Sequence, residues 1–194
     1  MVIVDVGCGD GRWLLASAAA HPERDYVGIE LIAPLVRKAE ERAPSNARFI
    51  AGDAVSWLRR RADLSVDEVH VYHPQPYYDP AEVHLGVGTP AFFERVWQVL
   101  KPGGLLVLQT DNKRYGTFLL EAARRHFDLE VQGGPWPDAP KGRTRREAVA
   151  LGKKLPVLRV LGRRRTSPIP ADPPPLYFDL TRPGLRKRRT KKSR

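Results

Sequence analysis

At 194 residues with 42% hydrophobic side chains, the chain has the material for one domain with its own core. No apolar run approaches the roughly 18 residues needed to span a bilayer, and the single cysteine, Cys8, excludes an internal disulfide and suits a reducing cytoplasm. A formal charge of +11 makes a polyanion the leading partner class, because clustered Lys and Arg gain from counterion release on meeting phosphates.

The first strand is predicted over residues 2–6. It runs into "VDVGCGDG", which lacks the basic start of a signal peptide and opens a helix over 13–20. Further strands are predicted over 26–30, 47–50, 69–72 and 105–109, alternating with helices over 35–42, 54–60, 90–100 and 116–126. This alternation predicts an α/β protein with a mostly parallel sheet and helices on both faces. "LKPGG" at 100–104 reads as a helix end and a turn, since Pro102 cannot continue a helix and glycine tolerates positive φ. The Gly- and Pro-rich stretch 133–142 reads as a loop, and 155–161 as a last strand at the sheet edge. From Arg163 the chain is dense in proline and then in basic residues. The domain is therefore placed at 1–162, and 163–194 reads as a disordered tail that doubles as an electrostatic arm for RNA.

Gly7, Gly9 and Gly11 allow a tight turn and close approach of a ligand to the backbone. Alone, a Gly-x-Gly-x-Gly run is a weak signal; its context strengthens it. The second strand ends in Glu30, where a carboxylate can bind the two hydroxyls of a ribose, and the third leads to "AGDA", with Asp53 at another carboxyl end. Asp5, Glu30 and Asp53 are expected to line one crevice. Such a crevice repels the phosphates of a dinucleotide or ATP, but it suits S-adenosylmethionine, a cationic sulfonium without phosphate. Cys8 reads as a small filler in the turn. His21, His70, His73, His84 and His126 show no metal-ligand spacing, and no metal is expected.

This spacing resembles class I S-adenosylmethionine-dependent methyltransferases, with "VDVGCGDG" as glycine motif, "VGIE" as acidic strand end and "GDA" as adenine contact. Within that class, "HPQPYY" is similar to the Pro-Asp-Pro-Trp corner of the bacterial tRNA (guanine-N7)-methyltransferase family. "LKPGGLLVLQTDNKRYG" is similar to its strand ending in Thr-Asp, and "TRREAVALG" to its Thr-Lys/Arg-Phe-Glu motif, so the likeness covers about 1–162. The resemblance implies a Rossmann-like fold and methyl transfer from S-adenosylmethionine to guanine N7 in tRNA. It implies cofactor contacts from Asp5, Gly7, Gly9, Glu30 and Asp53, and catalytic roles for Gln75 and Asp111. It also implies substrate contacts from Asp79, Asp111, Thr144, Arg145, Arg146 and Glu147, and a cytoplasmic protein with tRNA and no membrane as partner; a monomer is favoured, but the sequence leaves the oligomeric state open.

Five departures stand out. Gln75 replaces the family's Asp, Asp79 its Lys, "PAEVHLGVG" its basic run and Arg146 its Phe; the chain also begins inside the first strand, where the family carries an extension. Guanine N7 has a free lone pair and no proton, so its methylation needs positioning and charge stabilisation more than a general base. The prolines flanking Gln75 fix its direction, and Tyr77 and Tyr78 offer faces on which a base can stack. Thr144 and Glu147 also have the spacing of a helix capping box. Two other readings share these residues: methylation of another RNA position or a small molecule, and RNA binding without catalysis.

Overall fold

The computed structural model describes residues 1–77, 81–82, 86–170 and Phe178; Tyr78, Asp79, His84 and the basic stretch 186–194 lie outside the described residues. The elements run β1 (Val2–Val6), α1 (Arg12–Ala20), β2 (Asp25–Glu30), α2 (Ala33–Glu40), β3 (Ala47–Ala51), α3 (Ala54–Arg59) and β4 (Val66–Tyr72). They continue as α4 (Pro90–Val99), β5 (Leu100–Thr110), α5 (Lys113–Ala123), β6 (Phe127–Val131), α6 (Arg145–Gly152) and β7 (Leu158–Arg164). The strands form one sheet in the order β3-β2-β1-β4-β5-β7-β6. The first five are parallel, and β7 is antiparallel to both its neighbours. Strand order reverses between β1 and β4, the point at which open α/β sheets bind ligands beyond their carboxyl ends.

Alternation along each strand separates two apolar layers. Val4 lies opposite Val27 on one side and Val69 on the other, and this row packs against Trp57, Phe92, Phe93 and Leu119 from α3, α4 and α5. Ile3, Tyr26 and Val107 face the other way, onto Trp13 and Leu14 of α1 and Val36 of α2. Local signals start the helices. Thr89 Oγ1 accepts from Phe92 N–H at 3.2 Å with Pro90 next in line, and Asn112 Oδ1 accepts from Tyr115 N–H at 3.1 Å.

The C-terminal part of the sheet differs from the sequence expectation. The last predicted strand is not at the edge: β7 inserts between β5 and β6, and β6 is the edge. Val160 in β7 is wholly buried, whereas Asp128, Glu130 and Val131 of β6 are exposed, as suits an edge strand carrying charged residues. β6 escapes detection because "FDLEV" directly follows the helical pattern of α5, which ends at Ala123, before the predicted 126. "LKPGG" does not separate helix from strand. Leu100 already pairs with Val66, and the register then jumps to Leu105 opposite Glu68, so residues 101–104, with Gly103 at φ 73°, form a bulge at the start of β5.

β7 runs on to Arg164, beyond the boundary expected at 162. Arg165 N–H and Ile169 N–H donate to His126 and Arg125 carbonyls, both at 3.0 Å, and Phe178 packs on Tyr115 and Phe118 with ring centroids 5.1 and 5.8 Å away. None of the described helices is long and apolar enough to cross a membrane.

Candidate active site

The turn after β1 is anchored to β2, with Gly7 N–H and Cys8 N–H both donating to the Ile29 carbonyl at 2.8 and 3.1 Å. Gly7 and Gly9 adopt φ of 72° and 57°, and a Cβ on either would meet nothing within 4 Å, so open space lies in front of them. Gly11 lacks its Cβ for another reason. A Cβ there would come within 2.6 Å of the Phe49 ring, so this glycine lets the start of α1 sit on β3. Glu30 braces the loop: its Oε2 accepts from Gly9 N–H at 3.0 Å and its Oε1 from Ile32 N–H at 3.1 Å.

Asp53 caps α3 by accepting from Ser56 N–H at 2.8 Å and Val55 N–H at 3.4 Å. Burial opposes its ionisation, but these bonds outweigh it and hold the carboxyl below the usual carboxylate range. Two adjoining lobes open at this edge of the sheet. The first, about 220 Å³, is walled by Glu30, Asp53, Gln75 and Tyr77; the second is walled by Asp5, Asp10, Arg12 and residues 144–146. Gly7, Tyr72 and His73 belong to both. The three acids thus do not line one crevice as expected, because Asp5 points to the α1 side of the sheet and enters the second lobe.

Asp5 is 2% exposed, and its Oδ1 has no hydrogen-bond partner among the described residues. Burial and the Glu30 carboxylate push its pKa up from 3.8 to about 8, against the pull of Arg143. Burial likewise pushes the Cys8 thiol up, which suits a filler and not a nucleophile.

Beyond β4 the chain turns sharply at His73, a non-glycine residue at φ 50°, into buried Pro74, exposed Gln75 and buried Pro76. Asp111, just past β5, faces this corner. Its Oδ1 accepts from His73 Nδ1 at 3.2 Å and from Arg146 Nε at 2.9 Å. Burial opposes ionisation here too, and the two donors overcome it to hold the carboxyl low. Thr144 caps α6, taking Glu147 N–H at 3.1 Å, while Arg145 reaches across to Asp10 at 2.8 Å.

Glu147 is not at the substrate surface where it was expected. It is 0% exposed, its Oε1 lies 2.8 and 2.6 Å from Nε and Nη2 of buried Arg159, and its Oε2 accepts from Arg143 N–H at 2.7 Å. The cap spacing read from the sequence forms, but Glu147 reaches one residue further back than a reciprocal box does. Asp79 lies outside the described residues.

Sequence reasoning missed a buried polar ladder on β4. Arg143 Nη1 donates to Tyr72 Oη at 2.8 Å, which leaves the Tyr72 hydroxyl to donate to His70 Nδ1 at 2.8 Å and directs His70 Nε2–H to Glu68 Oε2 at 2.8 Å. Burial lowers the His70 pKa and keeps the ring neutral, and it lifts Tyr72 well above its ordinary value. Asp138 completes the series by pairing with Arg143 at 2.7 Å. The signal was present in "EVHVY", whose alternate polar residues share one face of a strand. Among the described residues no group of three or more His, Cys, Asp or Glu could hold a metal ion.

Comparison with known proteins gives this geometry a context. Residues 1–155 match the family model described as "Putative methyltransferase". The tRNA (guanine-N(7)-)-methyltransferase of Alkalilimnicola ehrlichii is 33% identical over 174 residues, covering 86% of this chain and 73% of that protein. Its counterpart in Cutibacterium acnes is 34% identical over 166 residues, covering 78% of this chain, which spans 59% of that relative's length. Among solved structures, an S-adenosylmethionine-dependent methyltransferase from Aquifex aeolicus is similar in fold, with TM-score 0.56, 15% identity and coverage of 85% of this chain and 82% of that one.

Proposed function

The chain belongs to this family of class I S-adenosylmethionine-dependent methyltransferases, and from that premise we propose that it methylates guanine N7 in tRNA. The observation that carries the reading is a shared wall: Gln75 and Tyr77 of the corner line the same lobe as Glu30 and Asp53. Support for the acceptor comes from the relatives near one-third identity, each named a tRNA (guanine-N(7)-)-methyltransferase.

The residues present fit the cofactor. Open space in front of Gly7 and Gly9, an Asp5 Oδ1 without a partner among the described residues and a first lobe with no Lys or Arg among the described residues of its wall suit a cation without phosphate. Glu30 would take the ribose hydroxyls, Asp53 would face the adenine, and Asp5 would meet the ammonium group. When bound, S-adenosylmethionine supplies an electrophilic methyl group on a positively charged sulfur.

This chain's own residues then have two tasks. Gln75, aimed by its two prolines, presents an amide to the base edge, and the Asp111 carboxylate offsets the positive charge that develops on the ring. Arg145, whose side chain is 80% exposed, and Arg146 would hold backbone phosphates without reading sequence. No proton has to leave N7, so the site needs no general base.

The test is incubation of the purified protein with bulk tRNA lacking 7-methylguanine and methyl-labelled S-adenosylmethionine, followed by nucleoside analysis. Labelled 7-methylguanosine is the expected product. A different labelled nucleoside would make Gln75 a change of specificity. Binding of cofactor and RNA without transfer would favour a noncatalytic relative.

A further inference from the structure

His73 sits where β4 ends, in the wall of both lobes, and its side chain is 4% exposed. Its hydrogen bonds fix where its proton resides. The indole Nε1–H of Trp136 can only donate, so the atom it meets on Gln109 is the amide oxygen Oε1. Gln109 Nε2 must then donate to His73 Nε2, 2.8 Å away. With Nε2 accepting, the neutral ring carries its proton on Nδ1, and that proton goes to Asp111 Oδ1. Arg146 Nε uses the other lone pair of the same oxygen, and Oδ2 takes neither bond.

The backbone at His73 is over-determined in the same way. Its N–H donates to the Gln109 carbonyl at 2.6 Å, and its φ of 50° precedes Pro74, where the left-handed region is disfavoured. A conformation of this kind persists only where the surroundings hold it, and such sites concentrate at functional positions.

We propose that His73 is a positioning residue of the acceptor site, which aims the Asp111 carboxylate so that Oδ2 is left to accept from an N–H of the acceptor base. The proposal rests on the methyl-transfer reading. The charged groups facing the ring are Asp111, Arg146 and Glu147. Burial keeps the ring neutral more strongly than Asp111 favours its protonation. A protonated ring would turn Nε2 into a donor facing the Gln109 amide hydrogens, and the relay from Trp136 would break.

Two substitutions separate side chain from backbone. His73→Gly suits the left-handed φ and removes the donor, whereas His73→Asn tolerates that φ and retains a donor near the position of Nδ1. With tRNA as acceptor, His73→Gly should lower kcat by about tenfold to a hundredfold while S-adenosylmethionine affinity by calorimetry stays within about twofold, and His73→Asn should keep most of kcat. Unchanged kcat in His73→Gly, or parallel loss of cofactor affinity, would overturn the assignment.

Two readouts do not need turnover. Ring ¹⁵N shifts at neutral pH should show Nδ1 protonated and Nε2 bare, and His73→Gly should raise the carboxyl titration of Asp111. The opposite tautomer, or an unmoved Asp111, counts against His73 whether or not tRNA is the substrate. Wild-type protein that transfers no methyl group to tRNA would sink the proposed function, and these two readouts would then decide His73 by themselves.

Discussion

The two faces of the sheet are built from different material. Toward α4 and α5 the central strands turn Val4, Val69, Val71, Leu106 and Leu108, an unbroken apolar row. Toward α1 the same strands mix apolar Ile3 and Val107 with Asp5, His70, Tyr72 and Gln109, all buried. One residue of strand separates the two environments: Val69 and Val71 flank His70. Burying apolar surface stabilises by about 25 cal/mol per Å², whereas an internal hydrogen bond replaces one to water and nets only about 0.5–1.5 kcal/mol. The wholly apolar face therefore carries the larger share of the stability. The polar face fixes positions, since its ladder holds Arg143, and through it the start of α6, against the upper edge of the sheet.

The largest expected effect tests the apolar face. Phe93→Ala, at a side chain 0% exposed, should cost about 3–5 kcal/mol in urea unfolding while the folded fraction binds cofactor as before. A loss under about 1 kcal/mol would mean that this face is not the reservoir of stability.

Next comes a polar-face pair. Arg159→Met strands the buried Glu147 carboxylate and should cost about 3 kcal/mol, and adding Glu147→Leu should recover most of that loss. Failure of the double variant to recover would show that the ion pair stabilises in its own right.

Asp5→Asn should act with the opposite sign. The folded pKa, about 8, lies above the ordinary 3.8, so the stability Asp5 contributes is complete below 3.8 and is lost as pH rises through 8. The amide does not ionise, so the variant should gain on the wild type as pH rises, reaching roughly 1–3 kcal/mol above pH 8, and should bind S-adenosylmethionine more weakly. Thermal unfolding at pH 5 and pH 8.5, with and without cofactor, checks both halves. A destabilised variant at the higher pH would place Asp5 with the structural residues.

Asp53→Ala is the smallest and lies on neither face. Losing the α3 cap should cost about 1 kcal/mol, read by thermal shift, with a separate drop in cofactor affinity. A larger stability loss would show that this edge is coupled to the core.

The apolar face was legible in the sequence because short, nearly continuous apolar runs such as "VIVDV" state their own burial. Glu30 and Asp53 were legible for a similar reason, since one ends and the other closely follows a strand that the pattern locates. The polar face was not. His70 sits in a run that reads as a buried strand, and its partners Tyr72 and Glu68 announce themselves only once a shared face is considered. Trp136 falls in a stretch that composition marks as loop, yet it is 4% exposed and donates to Gln109. Long-range pairs such as His73 with Asp111 and Glu147 with Arg159 leave no local pattern, because tertiary packing alone brings them together. Glu147 shows the cost of reading a motif without its partner: the capping geometry was visible, and the buried arginine that claims its other oxygen was not.

The insertion of β7 between β5 and β6 also orders events on the ribosome. A nascent chain that has emerged only through Val131 holds β5, the longest strand at 11 residues, with one edge unpaired, and β6 with no neighbour at all. Both wait for Leu158–Arg164, the last of the described strands to be made. Until then the protein presents an open strand edge to every other chain being translated nearby, which makes the interval before β7 arrives the period of greatest exposure to aggregation and of greatest need for a chaperone.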